Sequence, residues 1–190
     1  MKGSRPISRI QCKAIISSAA SIREKSLLTI GFCTGYRISE LLSLRVGDVS
    51  TDGHVHSHAT VKASNTKTKT GRTVLLNSDA KKAITALLAV IGIDSNTPLF
   101  ISRKHATGGE LKAISRQQAH EVLKSLFAKI GEFGNVSSHT LRKTFAARVW
   151  EATKQLPLVQ QALGHKSLNS TASYIDFGSD EVNQAIMGIM

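Results

Sequence analysis

The sequence has little of what marks secreted, disulfide-linked or membrane proteins. It holds two cysteines, Cys12 and Cys33, in 190 residues, and two thiols without CxxC spacing predict neither a disulfide framework nor a metal knuckle. No run approaches the roughly 18 uncharged apolar residues that cross a bilayer. The opening segment MKGSRPISRIQCK lacks the apolar stretch of a secretory signal. These absences favour a reducing, cytoplasmic setting and no membrane association.

Acidic residues are scarce as well. Asp and Glu number 13 against 25 Lys and Arg, which gives a formal net charge of +12. The basic residues are spread along the chain rather than gathered in a tail, which is typical of a folded face that follows phosphates. The charge predicts a polyanionic partner, with nucleic acid ahead of a membrane surface. On composition alone, the alternative of a basic surface that binds no partner stays open.

Apolar periodicity predicts one mainly helical domain over residues 1–190 with a small antiparallel sheet, an α+β fold. Capping boxes at Ser8/Gln11 and Ser115/Gln118 predict two helix starts. The β-branched segments HVHSHATVKA and RTVLL flank SNTKTKTG and predict a hairpin with a basic turn. The segment PLFIS predicts a short strand or an extended stretch. The predicted helices include 22–33, a short one in RISELLSLRVGDV, and 139–153, 156–163, 167–176 and 180–189.

Several residues suit the breaking of a phosphodiester. That reaction needs a nucleophile, cations on the non-bridging oxygens, and groups that accept and donate protons. An arginine fork grips two phosphate oxygens and keeps its charge. His139 and Arg142 are three residues apart, so a helix presents both on one side. His165 follows the turn residue Gly164, and Tyr174 lies nine residues further on, on the next predicted helix.

Three segments together carry a family resemblance. TGYRISELLSLRVGDV resembles the first arginine box of the tyrosine recombinase (phage integrase) family, HTLRKTFA its His-x-x-Arg box, and LGHKSLNSTASY its second histidine and nucleophilic tyrosine. The segments occur in the family's order, with a basic hairpin between the first two. The resemblance covers almost the whole chain as the catalytic domain, in a compact layout similar to the fimbrial-switch invertases.

The resemblance implies a role for each matching residue. Tyr174 would attack the scissile phosphate and form a 3′-phosphotyrosyl bond with release of a 5′-hydroxyl. Arg37 and Arg142 would hold the non-bridging oxygens, His139 would be the acid–base partner of the tyrosine, and His165 would donate a hydrogen bond to the phosphate. No metal, nucleotide or other cofactor is implied, because the covalent intermediate conserves the bond energy.

Further residues are assigned to supporting roles. The family places a lysine in the hairpin turn that protonates the leaving 5′-oxygen. The spacing of KTGRTVLL favours Lys69, and Lys67 stays open for the same role. Glu40 would be the carboxylate that orders the site. The remaining basic residues expected to contact DNA are Lys67, Arg72, Arg103, Lys104, Lys143 and Lys166.

A metal site is one pattern that the sequence suggests and that we reject. His54, His56 and His58 alternate along one predicted strand and would face one side. Three histidines on one strand seldom close a tetrahedron unaided. We therefore expect them to line a solvated or DNA-facing surface. Tyr36 is expected to be structural, packed beside the arginine box.

The resemblance also implies partners and leaves alternatives open. We expect double-stranded DNA with a specific recombination site, a dimer or tetramer on that DNA, host or element-encoded recombinase partners, and a mobile-element or phase-variation origin. No N-terminal core-binding domain is expected within these residues, and the alternative that they are a fragment of a longer integrase stays open. The apolar face of the predicted helix 180–189 packs either on its own domain or on a neighbouring subunit. The alternative functions are a type IB topoisomerase and a non-catalytic DNA-binding accessory protein.

Overall fold

Helices dominate the computed structural model, which describes residues 4–65, 71–102, 111–165, 167–172, 174 and 187. The helices are α1 (Arg9–Ser18), α2 (Ile22–Thr34), α3 (Ile38–Leu42), α4 (Ser78–Ile91), α5 (Arg116–Lys129), α6 (Ser138–Thr153), α7 (Leu156–Leu163) and α8 (Leu168–Ala172). The strands are β1 (Ser50–Thr51), β2 (His54–Val55), β3 (His58–Val61) and β4 (Arg72–Leu75). The strands form two antiparallel pairs, β1 with β2 and β3 with β4. The predicted fold class, mainly helical with a small antiparallel sheet, is confirmed.

Reciprocal side-chain caps fix where two of the helices begin. The Gln11 N–H donates to the Ser8 hydroxyl, and the Ser8 N–H donates to the Gln11 side chain, at the start of α1. Ser115 and Gln118 make the same exchange at the start of α5. Each cap satisfies two N–H groups that the helix itself leaves unpaired. Both capping boxes predicted from the sequence are confirmed.

A glycine in the left-handed region turns the chain between α2 and α3. Gly35 has φ of 57° and ψ of 24°, and its N–H donates to the Gly31 carbonyl. A Cβ at Gly35 would overlap the ring of Phe145. Glycine is therefore required here both by the backbone conformation and by the close approach of α6. After this turn, Arg37 occupies the N-cap position of α3.

The β3–β4 hairpin presents one buried and one exposed face. Its register pairs Ala59 with Val74 and Val61 with Arg72, and Ala59 and Val61 are both buried. The turn residues 66–70 lie outside the described residues. The hairpin predicted from HVHSHATVKA and RTVLL is confirmed for its strands, although its first strand starts only at His58.

The expectation that three histidines share one strand is wrong. The chain bends after Val55, so His54 belongs to β2 and His58 to β3, in separate strand pairs. The His56 ring lies 2.9 Å from the Thr51 hydroxyl, and the His58 ring lies 2.9 Å from the Ser57 hydroxyl. Across the described parts of the chain, no group of three His, Cys, Asp or Glu residues could hold a metal ion.

Two apolar clusters form the core of residues 4–145. One joins α2, α3, α4 and the β3–β4 hairpin around Leu27, Ile30, Leu41 and Ile84. The other joins α1, α2, α5 and the start of α6 around Ile15, Leu28, Phe127 and Leu141. The start of α6 and the α2–α3 corner are therefore held by the same core. That core fixes the backbone from which the candidate site residues project.

The chain separates into two compact units, residues 1–145 and 146–190. The second contains the end of α6 with α7 and α8, where Val159, Leu163 and Thr171 are buried. Helix α8 is described over Leu168–Ala172, and Tyr174 lies in a turn, while residues 173, 175 and 176 of the predicted helix 167–176 lie outside the described residues. The predicted helix 180–189 lies outside the described residues, apart from the exposed Met187. None of the helices described is both long enough and apolar enough to cross a membrane.

Candidate active site

The first arginine box folds into a short helix that its own carboxylate caps. The Arg37 N–H donates to Glu40 Oε2 at 2.8 Å, and Arg37 Nη1 donates to Oε1 at 2.7 Å. The Glu40 side chain is 1% exposed, whereas the Arg37 side chain is 26% exposed. The carboxylate thus orients the guanidinium from beneath while the outer side of Arg37 remains open to a ligand.

Two more arginines surround the same carboxylate. Arg72 Nη1 lies 3.7 Å and Arg142 Nη1 lies 4.0 Å from Glu40 Oε2. Both guanidinium groups also donate to the Gly35 carbonyl, Arg142 at 2.5 Å and Arg72 at 3.2 Å. Three positive charges therefore face one negative charge, and the excess favours an anion such as phosphate.

His139 lies on α6 one turn before Arg142, and much of its surface is open to solvent while the rest is covered by protein. Partial burial lowers the pKa of His139 below its ordinary value of 6.5, and the nearby charges of Arg142, Arg37 and Lys143 lower it further. The imidazole is therefore neutral at pH 7 and has a nitrogen that can accept a proton. A neutral imidazole beside an anion-binding arginine pair is suited to general acid–base chemistry.

We expect the His139 imidazole to titrate below pH 6.5, which NMR of the ring signals against pH would measure. Because the folded pKa lies below the unfolded one, the unfolded chain binds more protons between the two values. The free energy of unfolding should therefore decrease as the pH falls from about 6.5 through the folded pKa. His139→Gln should remove this part of the pH dependence. A ring that titrates above 6.5 would contradict the assigned electrostatic environment.

The second unit holds its own pair of predicted residues. The rings of His165 and Tyr174 meet edge to face, with centroids 5.2 Å apart and planes at 68°. His165 Nδ1 lies 3.0 Å from the Thr171 hydroxyl, and the Tyr174 N–H donates to the Thr171 carbonyl at 2.9 Å. Thr171 is completely buried. Thr171 thus contacts both the ring of His165, the predicted phosphate hydrogen-bond donor, and the backbone of Tyr174, the predicted nucleophile.

Arg72, which we expected to contact DNA, is largely buried in the structure. Its side chain is 9% exposed, Nη2 donates to the Thr34 carbonyl at 2.9 Å, and its guanidinium lies 4.9 Å from the centre of the Tyr36 ring. Burial lowers the pKa of Arg72, and Glu40 opposes that shift. Arg72 therefore contacts Tyr36 and lies close to Glu40 beside the arginine box, and its assignment to DNA binding stays a prediction.

Of the remaining predicted site residues, the structure describes some and not others. Lys143 is half-buried on α6. The hairpin lysines and three predicted DNA contacts lie outside the described residues, namely Lys67, Lys69, Arg103, Lys104 and Lys166. Sequence reasoning missed Thr171, although its spacing of three residues before Tyr174 is a signal that could have found it. Tyr36, expected to be structural, is buried at 1% exposure.

Comparison with known protein families identifies the family of this chain. The model of the phage integrase family matches residues 7–179. The chain belongs to the phage integrase family. The match includes all three segments on which the resemblance rested, the helices that carry Arg37, Glu40 and Arg142, and the hairpin that carries Arg72.

Curated relatives agree with this membership. Tyrosine recombinase XerD of Corynebacterium glutamicum is 31% identical over 177 residues, a match that covers 91% of this chain and 54% of that protein. The probable integrase/recombinase YoeC of Bacillus subtilis is 31% identical over 163 residues, covering 86% of this chain and 82% of that protein. The chain therefore spans about half the length of XerD and most of YoeC.

Solved structures of family members share the fold. The crystal structure of XerA recombinase superposes with a TM-score of 0.78 at 23% identity, covering 98% of this chain and 64% of that one. The pre-cleavage complex of XerH site-specific recombinase with its difH substrate has a TM-score of 0.74 at 22% identity, covering 99% and 55%. The agreement extends over nearly the whole chain, so the fold class is that of the tyrosine recombinases.

Proposed function

We propose that this chain is the catalytic domain of a site-specific DNA recombinase that cuts and rejoins strands through a phosphotyrosyl intermediate. The arrangement of Arg37, Arg72 and Arg142 around the buried carboxylate of Glu40 is the observation that carries the proposal. A buried carboxylate that orients several arginines suits the binding of an oxyanion. Membership in the phage integrase family supports phosphodiester chemistry at that oxyanion.

In the proposed cleavage step, the Tyr174 hydroxyl oxygen forms a bond to the scissile phosphorus while the bond from phosphorus to the 5′-oxygen breaks. Neutral His139 accepts the tyrosine proton, and Lys69 gives a proton to the leaving 5′-oxygen. Arg37 and Arg142 bind the non-bridging oxygens, where charge increases in the transition state. The products are a 3′-phosphotyrosyl bond and a free 5′-hydroxyl, which balances atoms and protons.

Rejoining reverses the same exchange with a different strand. The 5′-hydroxyl of a second strand attacks phosphorus, the bond to Tyr174 breaks, and the tyrosine regains its proton. One ester bond to phosphorus is made for each one broken, so the reaction has no need of a nucleotide. The proposed partners are double-stranded DNA with a specific site and further recombinase subunits bound to it, in the cytoplasm of the cell that carries the locus.

His165 is proposed to donate a hydrogen bond to the phosphate, and Thr171 supports that role. When the Thr171 hydroxyl donates to Nδ1, the ring proton is left on Nε2, the form that a phosphate donor requires. The edge-to-face contact of His165 with Tyr174 limits the orientation of both rings.

Thr171→Val should therefore slow formation of the covalent DNA adduct by about 10- to 100-fold. The effect should not exceed that of removing a hydrogen-bond donor to the phosphate altogether, because the His165 ring is still present. Thr171→Ser keeps a hydroxyl at the same position and should retain most of the rate. Single-turnover cleavage of a nicked DNA substrate would measure both. Equal rates for the Val and Ser variants would show that the hydroxyl does not set the orientation of His165.

The proposed function is tested by covalent capture. The protein is incubated with nicked DNA fragments from the encoding locus and its flanks, denatured in SDS and separated by size. We expect a DNA-bound species that resists SDS and disappears with protease, and sequencing of the captured DNA should return a defined site. Binding of DNA without such a species would contradict the proposal and favour the accessory protein. Relaxation of supercoiled plasmid at many sites would favour the topoisomerase.

A further inference from the structure

Arg72 and Tyr36 join the β3–β4 hairpin to the corner that carries the first arginine box. Tyr36 lies directly before Arg37, and Arg72 is the first residue of β4. The Tyr36 hydroxyl donates to the Ala59 carbonyl of β3 at 2.7 Å and lies 3.2 Å from the Arg72 carbonyl of β4. One side chain thus contacts the backbone of both hairpin strands.

Arg72 makes the reverse connection from the hairpin to the corner. Its Nη2 donates to the Thr34 carbonyl at 2.9 Å and its Nη1 to the Gly35 carbonyl at 3.2 Å, the two carbonyls that end α2. The same Nη1 lies 3.7 Å from Glu40 Oε2. The guanidinium also lies over the Tyr36 ring, 4.9 Å from its centre, a cation–π contact.

We infer that Arg72 and Tyr36 are positioning residues that fix the hairpin relative to Arg37 and Glu40, so that the arginine box and the hairpin reach DNA as one unit. This inference rests on the proposed function and extends it to two residues outside the assigned catalytic set. The sequence places Lys69, the proposed proton donor, three residues before Arg72.

The chemistry of both side chains suits this role. Arginine presents several donors in a planar fork, so a single side chain serves two carbonyls, a carboxylate and a ring face together. A lysine at the same position would supply a point charge without the fork. Burial raises the pKa of Tyr36, so its hydroxyl keeps the proton that it donates to the hairpin backbone. Both groups are almost fully buried, which excludes water from the connection.

The test compares Arg72→Lys, Arg72→Ala and Tyr36→Phe with the unchanged protein, and with Arg9→Lys as a matched control on the exposed start of α1. The probe is the DNA fragment that the unchanged protein captures. We expect Arg72→Lys to bind this DNA with unchanged affinity and salt dependence but to form the adduct about 100-fold more slowly at saturating DNA, as expected when reacting groups are misplaced by about 1 Å. Tyr36→Phe keeps the ring, so its rate of adduct formation should fall by a smaller factor.

Two results with the captured DNA would overturn the inference. If Arg72→Lys forms the adduct at the unchanged rate while remaining folded, Arg72 does not position the site. If Arg72→Ala, which removes the charge, remains folded and binds DNA more weakly with a smaller salt slope, Arg72 is a phosphate contact instead.

A second measurement separates failure of this inference from failure of the proposed function. If the unchanged protein captures no DNA, hydrogen exchange of the free protein still reports the connection. Arg72→Lys should then increase amide exchange both in residues 58–61 and in residues 35–42, two segments that the connection joins. Unchanged exchange in residues 35–42 would overturn the inference without reference to DNA.

Discussion

Replacing Glu40 with glutamine is expected to lower the free energy of unfolding by about 3–5 kcal/mol, the cost of removing one partner from a buried ion pair. Glu40 is 1% exposed and faces three arginines, two of which are nearly as buried. Glutamine has almost the same shape and can still accept a hydrogen bond from Arg37. It supplies no negative charge, so three guanidinium groups would repel one another in a poorly solvated site. Urea unfolding of the two proteins would measure the difference.

The same change should also reduce covalent capture of DNA. Arg37 is held by two hydrogen bonds to the Glu40 carboxylate, and a guanidinium that shifts by about 1 Å costs roughly 100-fold in rate. Glu121→Gln is the matched control, because Glu121 is an exposed carboxylate on α5 and should change stability by less than about 0.5 kcal/mol. If Glu40→Gln lowers the free energy of unfolding by less than about 1 kcal/mol, these ion pairs contribute no more than exposed surface pairs do. That result would contradict a structural role for the buried carboxylate.

Replacing Tyr174 with phenylalanine should abolish the covalent adduct while DNA binding and folding are retained. The change removes a single oxygen atom, and the ring can keep its edge-to-face contact with His165. The chain has two tyrosines, and Tyr36 is buried with its hydroxyl donating to the Ala59 carbonyl. Tyr174 is half-buried, so it is the tyrosine that a phosphate can reach.

The measurement for Tyr174→Phe is the yield of SDS-resistant adduct with a nicked DNA fragment, alongside binding of the same fragment in a gel-shift assay. Retained binding with no adduct is the expected result. An adduct that persists in Tyr174→Phe would place the nucleophile elsewhere in the chain. Loss of both binding and adduct would mean that the ring contributes to folding rather than to chemistry.

Local signals in the sequence predicted the parts of the fold that local physics determines. The capping boxes at Ser8 and Ser115 depend on residues three apart, and both formed as expected. The turn at Gly35 and the pairing of Arg37 with Glu40 on α3 are likewise set within a few residues. The family segments identified the arginine box and the His-x-x-Arg box because their spacing is short and fixed.

Features set by long-range packing could not be predicted in the same way. Arg72 was expected to contact DNA, and nothing in the neighbouring sequence indicates that it is buried. Only the register of β3 with β4 and the approach of Tyr36 bury it beside Glu40. The three histidines looked like one strand because alternation alone does not reveal the bend after Val55. The turn conformation of Tyr174 was missed because no glycine or proline precedes it closely in the sequence.

The central claim is that Tyr174 forms a bond to the 3′-phosphate of a DNA strand. The most direct test is mass spectrometry of the captured adduct after digestion by protease and nuclease, together with labelling of the released DNA end by polynucleotide kinase. We expect a nucleotide on the peptide that contains Tyr174, and a 5′-hydroxyl that accepts label without prior phosphatase treatment. A nucleotide on any other peptide, or a released end that carries a 5′-phosphate, would contradict that claim.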